Sequence, residues 1–208
     1  MNTYPLKKRL MTFFGIFGAY FLLISSSYAD ASPFLRLGID FGGDKLAGLS
    51  LVNVSTGEQN NEYLTANEGI YLGGGITLPS KTNQFSTELS FGWKQGIVTA
   101  SNQDMTMTRF PLEAVFLVHA GGDKKTSLFR IGGGLTYHLN TTFEADGSLL
   151  NGNIDFKNAL GFVVQADMRF SNFSFGLKYT MIDYEADVPF STEKVKANGA
   201  GIFMGLSF

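Results

Sequence analysis

The sequence has no cysteine and carries little charge. The absence of cysteine excludes disulfide bonds, thiolate metal sites and a lipid-modified N-terminal cysteine. Charged residues make up 16% of the chain, whereas they form about a quarter of an ordinary soluble domain. Lysine and arginine together number 16 against 18 acidic residues, and no basic tract is present. We therefore expect no nucleic-acid partner.

Long apolar runs are also missing after residue 31. A transmembrane helix needs roughly 20 predominantly apolar residues in succession, so the mature chain is not expected to cross a membrane as helices. Before that point, Lys7, Lys8 and Arg9 precede an uncharged apolar run over residues 10–24, and small residues follow. This order predicts a secretory signal peptide over residues 1–29, cleaved after Ala29 or Ala31. The alternative is a membrane helix that stays attached to the mature chain, but the apolar run over residues 10–24 is shorter than the roughly 20 residues that a span needs.

The chain is rich in glycine (25) and phenylalanine (20), and from Pro33 onward its apolar residues recur with period two. Between residues 84 and 94, for example, Phe91 and Trp93 share an apolar face while Glu88 and Lys94 lie opposite. Because successive side chains of a strand point to opposite faces, this pattern indicates a strand with one apolar side. Eight segments show the pattern, within residues 35–42, 70–78, 84–94, 109–119, 129–138, 156–170, 173–181 and 201–208.

The connections between these segments alternate in length. Short turns are predicted at residues 79–83, 120–126 and 171–172, and longer polar loops at residues 43–67, 100–108, 140–155 and 185–198. Short turns at one end and long loops at the other are typical of an outer-membrane β-barrel. The sequence therefore predicts an all-β fold for residues 32–208, an eight-stranded antiparallel transmembrane barrel. A soluble periplasmic β protein is the alternative.

The direction in which the polar faces point follows from energy. A charged side chain that faces the bilayer midplane costs about 2–4 kcal/mol, so several of them would exceed the whole stability of an ordinary domain, roughly 5–15 kcal/mol. The charged faces must therefore point inward, and the barrel must close, because an open edge in hydrocarbon leaves backbone groups unpaired. The predicted polar network of the lumen comprises Arg36, Asp40, Glu88, Lys94, Arg109, Glu113, Arg130, Asp167, Arg169 and Lys178.

The chain resembles the small eight-stranded outer-membrane barrels, of the kind formed by OmpX and the membrane domain of OmpA, over nearly all of residues 33–208. The resemblance rests on the strand count, the alternation of loops and a closing strand that ends in Phe208. It implies that outer-membrane lipids and the outer-membrane assembly machinery are partners, that the barrel is a monomer and that its location is the bacterial outer membrane. It also implies an assembly signal formed by Ile202, Met204, Leu206 and Phe208.

An eight-stranded barrel is just wide enough for side chains to fill, so the inward charges are expected to pair as a plug. A narrow path for ions or small solutes, lined by the same residues, is the alternative. The abundant inward glycines fit either interpretation, because they make space for a large side chain from a neighbouring strand. Six aromatic residues are candidates for interfacial belts: Tyr71, Trp93, Phe110, Tyr137, Tyr179 and Phe208.

No catalytic signature is present. Some barrels of this size are lipid A deacylases with a histidine and a serine two residues later, but His138 is followed by Leu139 and Asn140. His119 is expected near a short turn, and neither histidine has partners at metal-ligand spacing. We expect no metal, no cofactor and no enzyme activity. The expected function is a structural or surface-interaction role through external loops whose partner the sequence leaves open, with a narrow channel and a lipid-modifying enzyme as alternatives.

Overall fold

The computed structural model describes residues 31–52, 59–80, 84–100, 103–120, 128–148, 151–187 and 194–208, and the predicted signal peptide lies outside them. No helix in this part of the chain is long and apolar enough to cross a membrane. The described strands are β1 (Ser32–Gly42), β2 (Lys45–Val52), β3 (Gln59–Thr65), β4 (Gly69–Pro79), β5 (Phe85–Ala100), β6 (Gln103–Ala120), β7 (Leu128–Gly147), β8 (Gly152–Phe156), β9 (Ala159–Phe170), β10 (Phe173–Met181), β11 (Asp183–Glu185), β12 (Lys194–Lys196) and β13 (Gly199–Ser207).

Eight of these strands close into an antiparallel barrel in the order β1-β4-β5-β6-β7-β9-β10-β13. The first and last strands pair from Phe34↔Ser207 to Gly42↔Gly199, which joins the two ends of the chain. The Phe208 amide also donates to the Pro33 carbonyl. The predicted barrel of eight antiparallel strands is therefore confirmed. We call the end at which β1 begins and β13 ends the terminal end, and the end that holds the β2–β3 and β11–β12 hairpins the loop end.

Toward the terminal end the outer face of the barrel is apolar, as the alternation predicts. Leu37 is 47% exposed and Leu177 58%, while the alternating residues on the inner face are buried. Aromatic side chains contribute to this face, and the rings of Phe85 and Phe116 stack 5.5 Å apart. Such a surface has no favourable partner in water but is suited to lipid, which makes this region the membrane-spanning band of an outer-membrane type of barrel.

The predicted loops over residues 100–108 and 140–155 are wrong, because most of both ranges is strand. β5 continues to Ala100, β6 begins at Gln103, and β7 continues to Gly147. In this extension the alternation inverts: Met105 and Met107 point inward, while Asp104 is exposed. Beyond the lipid band water surrounds the barrel, so the polar residues turn outward and the apolar ones fill the interior.

A register shift accompanies this inversion in β7. Phe110 pairs with Leu139 and Thr108 pairs with Thr142, so β7 has one more residue than β6 at this point. Asn140 takes the positive φ of 46° there, a conformation that asparagine tolerates better than most residues. This bulge moves the inward-facing positions of β7 from His138 to Thr141, which keeps apolar Phe143 inside the extension.

The loop end is folded rather than irregular. β2 pairs with β3, β11 pairs with β12, and β8 adds to the edge of the β7 extension. Phe156 is the first apolar residue of the predicted segment 156–170, and the expectation that it shares the outward apolar face of that segment is wrong. It belongs to β8, and its side chain is buried among the loop-end residues. The chain breaks from the sheet at residues 157–158 before β9 begins, which separates Phe156 from the lipid-facing residues of that strand.

The position of the lipid band can be tested by placing an arginine inside and outside it. Leu177 lies midway along β10 on the outer face, so we expect Leu177→Arg to lower the free energy of unfolding in lipid vesicles by about 2–4 kcal/mol. Glu144 is exposed on the extension of β7, and Glu144→Arg is expected to leave the unfolding curve unchanged. Denaturant titration of both variants checks this, and an equal loss in both would place lipid around the extension as well.

Candidate functional site

The lumen contains an ion network centred on Glu88. Its two carboxylate oxygens accept from Arg36 and Arg130, each at 2.8 Å, and Arg130 Nε donates to Asp167 at 2.7 Å. The Gln165 amide completes the cluster, because its nitrogen donates to Asp167 at 2.9 Å while its oxygen accepts from Arg36 at 3.1 Å. All five side chains are buried. Strands β1, β5, β7 and β9 are thereby joined across the barrel.

A second pair lies on the inner faces of β10 and β6. Lys178 Nζ donates to Glu113 at 3.0 Å and stands 4.4 Å from the centre of the Tyr71 ring. The placement of Tyr71 in an aromatic belt is wrong, because the residue is 2% exposed and points into the lumen. A Cβ atom at Gly73 or Gly92 would collide with its ring, so these glycines make the space that the tyrosine fills.

A third layer links the barrel wall to the end of the β2–β3 hairpin. Lys94 Nζ lies 2.6 Å from Asp40 and donates to the Asn67 side-chain oxygen at 2.8 Å. Arg109 donates to the backbone carbonyls of Ala66 and Glu68. This layer has two cationic side chains and one carboxylate, and backbone carbonyl dipoles stabilise the additional positive charge. The same contacts hold the end of the β2–β3 hairpin inside the barrel.

Above this layer the interior of the barrel is apolar. Leu64 and Ala66 from the hairpin pack inside the wall together with Met107 of β6 and Tyr184 of β11. We call this cluster the loop-end plug; its buried members are Leu64, Ala66, Val98, Met105, Met107, Phe143, Ala145, Phe156, Ala159, Ile182, Tyr184 and Ala197. Gln103 and Thr141 are buried at the same level, so the described interior of the extension is mostly, but not wholly, apolar.

The two histidines lie at opposite ends of the barrel. His138 is buried beneath the plug, and its Nδ1 shares a hydrogen bond with the Tyr184 hydroxyl. His119 is at the terminal end, with its Nε2 2.8 Å from the Ser86 hydroxyl. Among the described residues, no group of three or more potential ligands is arranged to hold a metal ion.

The structure distributes the ten predicted lumen residues over these clusters and the terminal end. Arg36, Glu88, Arg130 and Asp167 form one cluster, Glu113 and Lys178 a pair, and Asp40, Lys94 and Arg109 the layer beneath the plug. Arg169 is only half-buried and stands apart at the terminal end, where its Nε donates to the Ser171 carbonyl at 3.2 Å. The four residues of the predicted assembly signal are on the outer side of β13 and at its end; their recognition by assembly machinery stays a prediction.

Three residues of the network were missed by the sequence reasoning. Gln165 was on the polar face of its strand, and that position was a sufficient signal for including it. Asn67 lies in the predicted loop over residues 43–67, and Tyr184 lies between the predicted strand 173–181 and the predicted loop 185–198, so the predicted strands did not place either residue inside the barrel.

One exposed ion pair lies at the loop end, between Lys157 and Glu185. The hydrogen bond between the two side chains and their opposite charges raise the pKa of Lys157 and lower the pKa of Glu185. The backbone supports the same contact, because the Lys157 amide donates to the Glu185 carbonyl at 2.9 Å. This pair connects the end of β8 to the β11–β12 hairpin.

Closure of the sheet, an apolar outer band and a polar inner face define the class of this fold, an eight-stranded antiparallel barrel of the outer-membrane type. Neither the comparison with protein-family models nor that with curated proteins gives a match. Among solved structures, the chain is similar to Neisserial surface protein A, with 9% identity, a TM-score of 0.46 and coverage of 86% of this chain and 97% of that one.

Two further solved structures are similar. Ail, the attachment invasion locus protein of Yersinia pestis, has 11% identity and a TM-score of 0.43, covering 86% of this chain and 97% of its own. The N-terminal β-barrel domain of Pseudomonas aeruginosa OprF has 14% identity and a TM-score of 0.37, covering 86% and 98%. Likeness at this level carries no argument about activity, and the architecture rests on the strand pairing described above.

The Glu88 carboxylate is expected to be the most sensitive group of the lumen. Replacing it by glutamine leaves two buried guanidinium groups without their shared countercharge, and removing one partner of a buried pair costs on the order of 3–5 kcal/mol. We expect Glu88→Gln to lower the free energy of unfolding by that amount in denaturant titrations. Glu185→Gln is the matched control, since its ion pair is exposed, and its unfolding curve should coincide with that of the parent chain. Equal effects would contradict a central role for Glu88.

Proposed function

We propose that this chain is an outer-membrane protein that acts as a closed, non-catalytic barrel and presents its loop-end hairpins to the outside of the cell. The observation that carries the proposal is the filled interior: paired charges occupy the membrane level, and the loop-end plug occupies the level above. A lumen of this kind contributes to rigidity rather than to transport.

The extension of the barrel supports a surface role. β7 has 20 residues, which corresponds to about 66 Å along the strand at ~3.3 Å per residue. A tilt of about 40° reduces this to a height of roughly 50 Å, against an apolar band about 25 Å tall. The barrel therefore projects well beyond the lipid on the loop end. In outer-membrane barrels the longer connections are extracellular, so this projection is the part available to the environment.

The two alternatives have less support. A channel needs a continuous polar path, and the apolar side chains of the plug lie across the axis. A lipid-modifying enzyme needs an activated group near the lipid boundary, whereas His138 is buried inside the barrel on Tyr184. Outer-membrane lipids are accordingly proposed as the solvent of the apolar band and not as substrates.

Single-channel recording tests the closed lumen. The chain refolded in detergent is first checked by the gel shift between unheated and heated samples, which reports a folded barrel. We expect no discrete conductance steps after insertion into planar bilayers, while a conducting porin in the same bilayers gives steps. Reproducible steps from the folded chain would overturn the closed barrel in favour of the channel. Changed acylation of lipid A or phospholipid in cells that overproduce the chain would instead favour the enzyme.

A further inference from the structure

The terminal end of the barrel encloses a cavity with a different character from the rest of the lumen. Its volume is about 600 Å³, and it lies below the Glu88 cluster. Ser86, His119, Arg130 and Arg169 are among the polar residues that line it. Whereas apolar side chains fill the loop end, most of the residues that line this cavity are polar.

The charges of the cavity are of one sign. None of the described residues that line it is acidic, although two of them are arginines. Arg130 uses its Nε and Nη1 atoms in ion pairs with Asp167 and Glu88, and its guanidinium forms part of the cavity wall. Arg169 makes no ion pair among the described residues. Glu88 and Asp167 offset the charge of Arg130, so the net positive charge of the described lining comes from Arg169.

Neutral hydrogen-bonding groups accompany these cations. The buried Ser86 hydroxyl is held 2.8 Å from His119 Nε2, so its position is fixed by the imidazole. Arg169 Nε donates to the Ser171 carbonyl, and within the described part of the chain this is its one side-chain hydrogen bond. Planar guanidinium groups together with hydroxyl donors are the usual partners of phosphate and carboxylate groups.

From this arrangement we propose that the terminal-end cavity binds an oxyanion, a phosphate or carboxylate group carried on a small polar molecule. The cavity volume falls in the range of ligand sites, about 300–1,000 Å³, and is far larger than a bare phosphate ion requires. Arg169 is the principal anion contact, and Ser86 donates the second hydrogen bond when His119 Nε2 carries the proton and the Ser86 oxygen accepts it. This site is independent of the surface role proposed above, because it occupies the opposite end of the barrel.

Binding of inorganic phosphate to the full chain refolded in a nonionic detergent tests the site. We expect saturable binding in calorimetric titrations, weakened about tenfold or more in Arg169→Gln, since a hydrogen bond to a charged group contributes roughly one such factor. Ser86→Ala removes a donor without changing the charge and should also weaken binding. Lys157→Gln removes an exposed cation at the loop end and should bind phosphate like the parent chain.

A second titration distinguishes the source of the oxyanion. If a lipid headgroup occupies the cavity, micelles doped with phosphatidylglycerol will compete with phosphate, whereas phosphatidylcholine micelles will not. If the ligand is soluble, neither lipid will compete. No saturable binding by the folded parent chain, or equal binding by the parent and Arg169→Gln, would overturn the proposal. The titration measures phosphate affinity, so a negative result would leave the conductance test of the closed lumen unaffected.

Discussion

Hydrocarbon cannot solvate charge, and this constraint determines the arrangement of the whole barrel. The strands carry charged residues at alternate positions, so they must close into a ring that turns every one of those positions inward. Inside the ring each charge then needs a partner. Glu88 meets this need for two arginines at once, which joins β1, β5 and β7 across the lumen. The ion network is therefore a consequence of the lipid outside and a determinant of which strands lie opposite one another.

The same constraint explains why the alternation inverts above the lipid band. Where water replaces hydrocarbon, polar residues such as Asp104 and Glu144 face outward, and the interior takes Met105, Met107 and Phe143. The bulge at Asn140 allows β7 to change its inward-facing positions at this boundary without leaving the sheet. One continuous set of strands thus forms two segments of barrel, one stabilised by paired charges in its interior and the other by apolar packing.

Sequence reasoning could predict the first segment but not the second. Period-two alternation with an apolar outer face identified all eight barrel strands, because lipid leaves only one face for charge. It interpreted residues 100–108 as a loop, since the inverted pattern there has no long apolar face and resembles a polar connection. Phe156 was assigned to the wrong face because the break at residues 157–158 interrupts the phase. Asn67 and Tyr184 reach the interior through tertiary folding of the loop-end hairpins, for which a strand pattern has no signal.

The two ends of the lumen differ in how their arginine side chains are stabilised. At the loop end the backbone carbonyls of Ala66 and Glu68 stabilise the positive charge of Arg109, and apolar side chains cover it. Nothing further is needed there from a ligand. At the terminal end Arg169 Nε donates to a backbone carbonyl, and no carboxylate of the described residues pairs with it. Arg36 and Arg130 pair with carboxylates, and apolar side chains cover Arg109, whereas Arg169 is only half-buried. Its charge is the one that the proposed oxyanion would balance.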